Sequence, residues 1–181
     1  PLRGIGARFV DPDNEEPMEN GEPGLLLVKG PNVMQGYLGQ EEKTAEVLNE
    51  GWYTTGDIAA MDEDGFLKIT DRLSRFSKIG GEMVPHIKVE EKLHELGDLT
   101  EQTFVVTGVP DEKKGERLVV LYQNIEAEVI EVINEKLITT DLPNIWKPRS
   151  NLFFKVDTLP YLGTGKLDLK QIKLIAGELA K

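Results

Sequence analysis

The chain has 181 residues, 39% of them hydrophobic and 29% charged, with 18 glycines and 10 prolines. That composition is globular, and the length allows one ordinary domain or two small ones. A net charge of −11 argues against general nucleic-acid binding, which needs basic patches to neutralise phosphates. No apolar run approaches the roughly 20 residues of a membrane span, and the start shows no signal-peptide pattern. Cysteine is absent, which excludes a disulfide framework and a thiolate metal site and fits a reducing compartment. His86 and His94 lack ligand-like spacing and read as solvated helix residues. Because it opens at Pro1 without a methionine, the chain reads as part of something longer.

Residues 1 to about 72 are rich in turns and short strands. "IGARFVD" alternates, "DPDNEEPMENGEPG" is a long polar loop, and "LLLVKG" is a short apolar strand. "QEEKTAEVLNEG" predicts a short helix stopped by Gly51. "IAAMDEDGFLKITDR" predicts a hairpin with strands at 58–61 and 66–70 around the turn "DEDG". A half-domain of hairpins with so long a loop has little apolar material from which to build a sizeable core of its own.

After Arg72 the style changes. "HIKVEEKLHELG" carries Val89, Leu93 and Leu96 at i, i+4, i+7, an amphipathic helix stopped by Gly97. "TFVVTGV" and "RLVVLYQ" are β-branched runs joined by the polar turn "PDEKKGE". "AEVIEVINEKLI" places Val129, Ile130, Ile133 and Leu137 on one helical face, "NLFFKVD" is a further strand, and "DLKQIKLIAGELA" is a closing helix. The order helix, strand, strand, helix, strand, helix predicts a small α+β domain with a short sheet flanked by helices. The boundary falls near residues 72–76, giving two parts, 1–73 and 74–181.

One short stretch suggests chemistry. "GTGK" (163–166) has the vocabulary of a phosphate loop, but Pro160 stands where the nucleoside-triphosphate motif needs its first glycine. Leu167 follows the lysine where a Mg²⁺-binding hydroxyl is required, so that motif is rejected. The plain alternative is a glycine turn before a helix capped by Asp168.

Three stretches together point further. "GWYTTGDIAAMDEDGFLKITDR" (51–72) resembles a segment shared by the adenylate-forming, AMP-binding superfamily. "RFSKIGGEMVPHIKVEE" (75–91) resembles the glycine-containing loop that follows in that family, and "LPYLGTGK" (159–166) resembles its final motif. They stand in the family order with family spacing and cover the chain essentially end to end. The resemblance implies that residues 1–73 are the β-rich end of a large adenylation domain and that 74–181 are a small mobile C-terminal domain.

It also implies roles. Asp57 and Arg72 would bind the ribose of ATP, and Lys166 would contact the substrate carboxylate and the α-phosphate. Without the resemblance, Asp57 is a turn aspartate and Arg72 a surface charge at a strand end. Ser74 stands at the hinge where most members have Asp or Lys. Gly80 and Gly81 would line the channel for a pantetheine thiol, though a glycine pair can equally form a turn that needs positive φ. The family's triphosphate loop and its glutamate for Mg²⁺ would precede Pro1, so these residues alone are expected to be inactive.

Within the superfamily, "RFSKIGGEMV" resembles the acyl-[acyl-carrier-protein] synthetase half of bifunctional 2-acylglycerophosphoethanolamine acyltransferases. This implies a ligase that uses ATP and Mg²⁺ to activate a fatty acid, loads it on acyl carrier protein, and serves a lysophospholipid through an upstream acyltransferase domain. The alternatives are an acyl-CoA synthetase with CoA as acceptor, or a non-catalytic interaction module. A binding module has no need of Asp57, Arg72, Gly81 and Lys166 together. The implied location is the cytoplasm, at the cytoplasmic face of the inner membrane for the full-length protein.

Overall fold

The alternating run after Ile5 forms strand β1 (Gly6–Val10), which pairs antiparallel with β2 (Gly24–Lys29). The computed structural model describes residues 3–12, 14–19 and 21–181. Residues 13 and 20 of the expected polar loop therefore lie outside the described residues. The rest of that loop is closed by a bridge between Val10 and Pro17.

Helix α1 (Glu41–Val47) runs into β3 (Leu48–Asn49), and a turn through Glu50 and Gly51, both at positive φ, sends the chain back along β4 (Trp52–Met61). Gly51 thus shapes a hairpin turn and does not stop the helix. α1 ends earlier because Leu48 is already extended and paired with Tyr53. β5 (Leu67–Arg72) completes a sheet ordered β1-β2-β4-β3, with β5 also on β4. The β4–β5 hairpin outruns the apolar pattern, because backbone pairing continues from Met61–Leu67 to Asp57–Arg72. Few side chains are buried here: Val10, Leu25, Leu26, Ile58 and Ala59.

The chain divides into two units after Leu73. The second opens with a hairpin that periodicity does not announce, β6 (Phe76–Ile79) and β7 (Glu82–Pro85). Four-residue strands split by two glycines are too short to show a period. α2 (His86–Gly97) follows at once. Its left-handed terminal residue is Asp98 at φ 52, not Gly97. Gly97 stays helical, and a Cβ there would meet Leu99 at 2.9 Å and Ile133 at 3.0 Å. Its smallness therefore serves packing, not termination.

β8 (Phe104–Asp111) and β9 (Gly115–Tyr122) form an antiparallel pair, α3 (Ala127–Ile138) follows, β10 (Phe153–Lys155) lies parallel to β9, and α4 (Leu169–Leu179) closes the fold. The sheet order is β10-β9-β6-β7, with β8 also on β9. One face packs Phe104, Val106, Leu118 and Val120 against Val89 and Leu93 of α2 and Ile130, Ile133 and Leu137 of α3. The other face packs Val105, Val109, Val119 and Leu121 against Ile172 and Ala176 of α4. With both faces covered, β8 and β9 read as continuous apolar runs without alternation. Each fully buried side chain of this kind contributes about 1.5–3 kcal/mol. Val129, expected on the buried face of α3, is exposed, because the face is set by the i, i+3, i+7 set Ile130, Ile133 and Leu137. The class is α+β, as the element order predicted. Among the described residues, no helix is long and apolar enough to cross a membrane.

Neither histidine is a solvated helix residue. His94 is half-buried; its Nδ1 donates to the carbonyl of Glu90 at 2.7 Å, while Nε2 accepts from the Thr103 N–H at 3.1 Å. His86 is buried, with Nε2 2.8 Å from Ser77 Oγ. Burial, then the nearby Arg75 and Lys173 charges, push its pKa down from 6.5 to about 3. Between those values the unfolded chain binds a proton that the folded chain does not. Stability is therefore retained above pH 6.5 and falls with pH below it, by roughly 1.4 kcal/mol per pH unit from this group. Urea midpoints across pH 4–7 should show a shallower slope for His86→Gln, which keeps a partner for Ser77 but does not titrate. Equal slopes would remove His86 as the cause.

Candidate functional site

Asp57 and Arg72 lie directly opposite each other on β4 and β5. Arg72 Nε sits 2.9 Å from Asp57 Oδ1, with the arginine side chain 66% exposed and the aspartate 19%. Local backbone irregularity aims the carboxylate. The β2–β4 register shifts between the Leu25–Ile58 and Leu27–Thr54 pairs, and Gly56 within the bulge has φ 74. Thr55 braces this bend: its Oγ1 donates to the carbonyl of Leu26 at 2.8 Å and accepts from the Asp57 N–H at 3.1 Å. The structure thus brings the two candidate ribose residues together, and Asp57 is a bulge residue more than a simple turn aspartate.

"LGTG" (162–165) makes the turn of a small hairpin. Tyr161 bridges to Leu167, the Leu162 N–H donates to the Lys166 carbonyl at 2.8 Å, and Gly165 takes φ 79. Lys166 stands on the return arm, exposed, with its ammonium unpaired among the described residues. Just beyond it, Leu167 packs against the α4 core and Asp168 caps the helix by accepting from the Gln171 N–H at 3.0 Å. The turn-and-cap reading is therefore structurally true of Asp168, and it leaves Lys166 a free cation on a firmly held base.

Gly80 and Gly81 form the β6–β7 turn at φ 61 and 91. A Cβ on Gly81 would meet nothing within 4 Å, whereas one on Gly80 would touch Ile145 at 3.4 Å. Positive φ is thus the reason the structure gives for glycine at both positions, and the side of Gly81 that a Cβ would take is open. Ser74 is exposed, in the middle of a single 3₁₀ turn, Leu73–Arg75. Lys166 and the glycine turn lie on separate elements of the second unit, and Asp57 and Arg72 belong to the first.

Asp57 retains a second carboxylate oxygen with no protein partner among the described residues, so the pair fits sugar hydroxyls as donors. The described residues include no group of three or more His, Cys, Asp or Glu side chains that could hold a metal ion. Sequence reading missed the buried polar contacts around the boundary, Arg75 with Glu90 and Ser77 with His86. No local pattern marks them: Glu90 stands in the charged run "KVEEK" and Ser77 is followed by Lys78.

Over 165 residues the chain is 38% identical to the feruloyl-CoA synthase of an Amycolatopsis species, covering 88% of this chain and 32% of that protein. It is 43% identical over 119 residues to the long-chain-fatty-acid–CoA ligase of Bacillus subtilis, covering 64% and 20%. These relatives are acid–thiol ligases. Among solved structures, ATP-bound MatB from Rhodopseudomonas palustris matches 99% of this chain and 35% of that chain, with a TM-score of 0.74 and 26% identity. No family model matches. The chain spans about a third or less of the length of the curated relatives it matches.

Proposed function

We propose that this chain is the C-terminal portion of an ATP-dependent ligase that activates a fatty acid as its adenylate and then passes the acyl group to a pantetheine thiol. The observation that carries the reading is the distribution of groups. An Asp57–Arg72 pair suited to a ribose ends one unit, an unpaired Lys166 on a fixed hairpin belongs to the other, and Ser74 is the first residue past the division.

In this reading the Asp57 carboxylate accepts the ribose hydroxyls, and Arg72 holds that carboxylate in place. The Lys166 ammonium opposes the negative charge that develops as the fatty-acid carboxylate attacks the α-phosphate and the bond to the β-phosphate breaks, releasing pyrophosphate. Rotation about Ser74 then withdraws the lysine hairpin and presents the Gly80–Gly81 turn to the thiol arm.

For the acceptor, the CoA-forming relatives support CoA. The run "RFSKIGGEMV" supports acyl carrier protein, with the acyl group destined for a lysophospholipid. ATP–pyrophosphate exchange by the full-length protein tests the first half-reaction, and thioester formation with each acceptor separates the two. Fatty-acid-dependent exchange is expected. Its absence across acyl chain lengths would overturn the reading.

A further inference from the structure

We propose that Arg75 is a positioning residue: with Glu90 it fastens the chain just beyond Ser74 to the second unit, confining rotation to Ser74. This rests on the hinge reading above.

The contacts on the two sides of Ser74 differ in kind. Arg75 Nη2 sits 2.6 Å from Glu90 Oε2, and both side chains are nearly buried, at 11% and 8% exposure. Glu90's other oxygen, Oε1, accepts from the Val106 N–H at 2.6 Å. One carboxylate on α2 therefore ties the first turn of the unit to β8, an edge strand whose one partner in the sheet order is β9. Two residues further on, buried Ser77 and His86 tie β6 to the start of the same helix. At Gly108 the backbone of β8 comes so close that a Cβ would overlap Ser77 Oγ. Before the hinge, Arg72 holds Asp57 through a side chain that is mostly in solvent. The exposed Ser74 is thus followed at once by a rigid post.

Stability alone does not account for an arginine at this place. Arg75 Nη1 is buried and has no acceptor among the described residues. Burial also pushes the Glu90 carboxyl above its usual range, against the lowering effect of Arg75 and the Val106 N–H. A buried ion pair with an unused donor stabilises no better than apolar side chains of similar volume. What it adds is direction: the guanidinium can meet that carboxylate in few orientations.

The test uses the full-length ligase carrying Arg75→Met with Glu90→Gln, which removes both charges and keeps an acceptor for Val106. Rates are normalised to the folded fraction. The variant is expected to melt near the parent temperature, with KM for ATP and fatty acid and adenylate formation unchanged. Thioester formation from that adenylate should fall by about tenfold or more, as for a small misplacement of reacting groups. Arg75→Lys, which can still reach Glu90, should restore most of the loss. A folded double variant with normal transfer would overturn the proposal, and so would equal loss in both half-reactions. Ser74→Pro separates the underlying reading: normal transfer in that variant refutes the hinge itself. Impaired transfer there, with a normal Arg75→Met/Glu90→Gln variant, refutes only the role of Arg75.

Discussion

If the proposed function holds, Lys166→Ala in the full-length protein should slow adenylate formation by about a hundredfold or more, the typical cost of one lost transition-state donor. Folding should be unaffected. The Lys166 side chain is exposed and makes no pair among the described residues, and the hairpin around it is held by backbone bonds, by the packing of Leu167 and by the Asp168 cap. Exposed substitutions of this sort change stability by no more than about 0.5 kcal/mol. Under the proposed rotation, thiol attack on acyl-adenylate supplied from outside should be largely spared, because the lysine hairpin would then be turned away from the reacting centre. Single-turnover rates for the two half-reactions decide the matter. Equal losses in both would refute the two-position scheme.

The complementary lesion is at Gly81, where two effects of a side chain can be separated. At φ 91, any Cβ strains the backbone. Alanine and leucine should each therefore cost about 1–2 kcal/mol of stability, and by nearly the same amount. Beyond the Cβ there is open space within the unit, so leucine adds no further clash there. Bulk matters only if a thiol arm passes over this turn. Gly81→Leu should then retain adenylate formation and lose about a hundredfold in transfer to carrier protein or CoA, while Gly81→Ala keeps most of it. Thermal melts with separate assays of the half-reactions distinguish the outcomes. If alanine and leucine reduce transfer equally, the glycine serves only the turn.

These expectations differ in how legible their basis is before folding. The lysine hairpin can be read locally: glycines, a lysine and a capping aspartate within six residues specify a turn followed by a helix start, and that is what forms. α2, α3 and α4 are also readable as helices, since a 3.6-residue period marks an apolar stripe, although Val129 falls outside the stripe that is buried. Helix ends are less so. Gly51 and Gly97 look like stops but serve a hairpin turn and a helix–helix contact.

Much of what the sequence by itself determined is therefore local: the strand runs, the amphipathic helices, the glycine turns, and which polar residues are candidates for chemistry. Tertiary structure decided which of them meet. Asp57 and Arg72, 15 positions apart, become neighbours only because a bulged strand and its hairpin partner fix the register. His86 looks like a surface residue until α2 packs against β6 and β8 and removes it from water. Arg75 and Glu90 look like ordinary surface charges for the same reason. Periodicity records which face of an element is apolar; it carries no record of which polar side chain another element will bury. Burial and pairing between distant positions depend on packing geometry, which exists only once the chain has closed on itself.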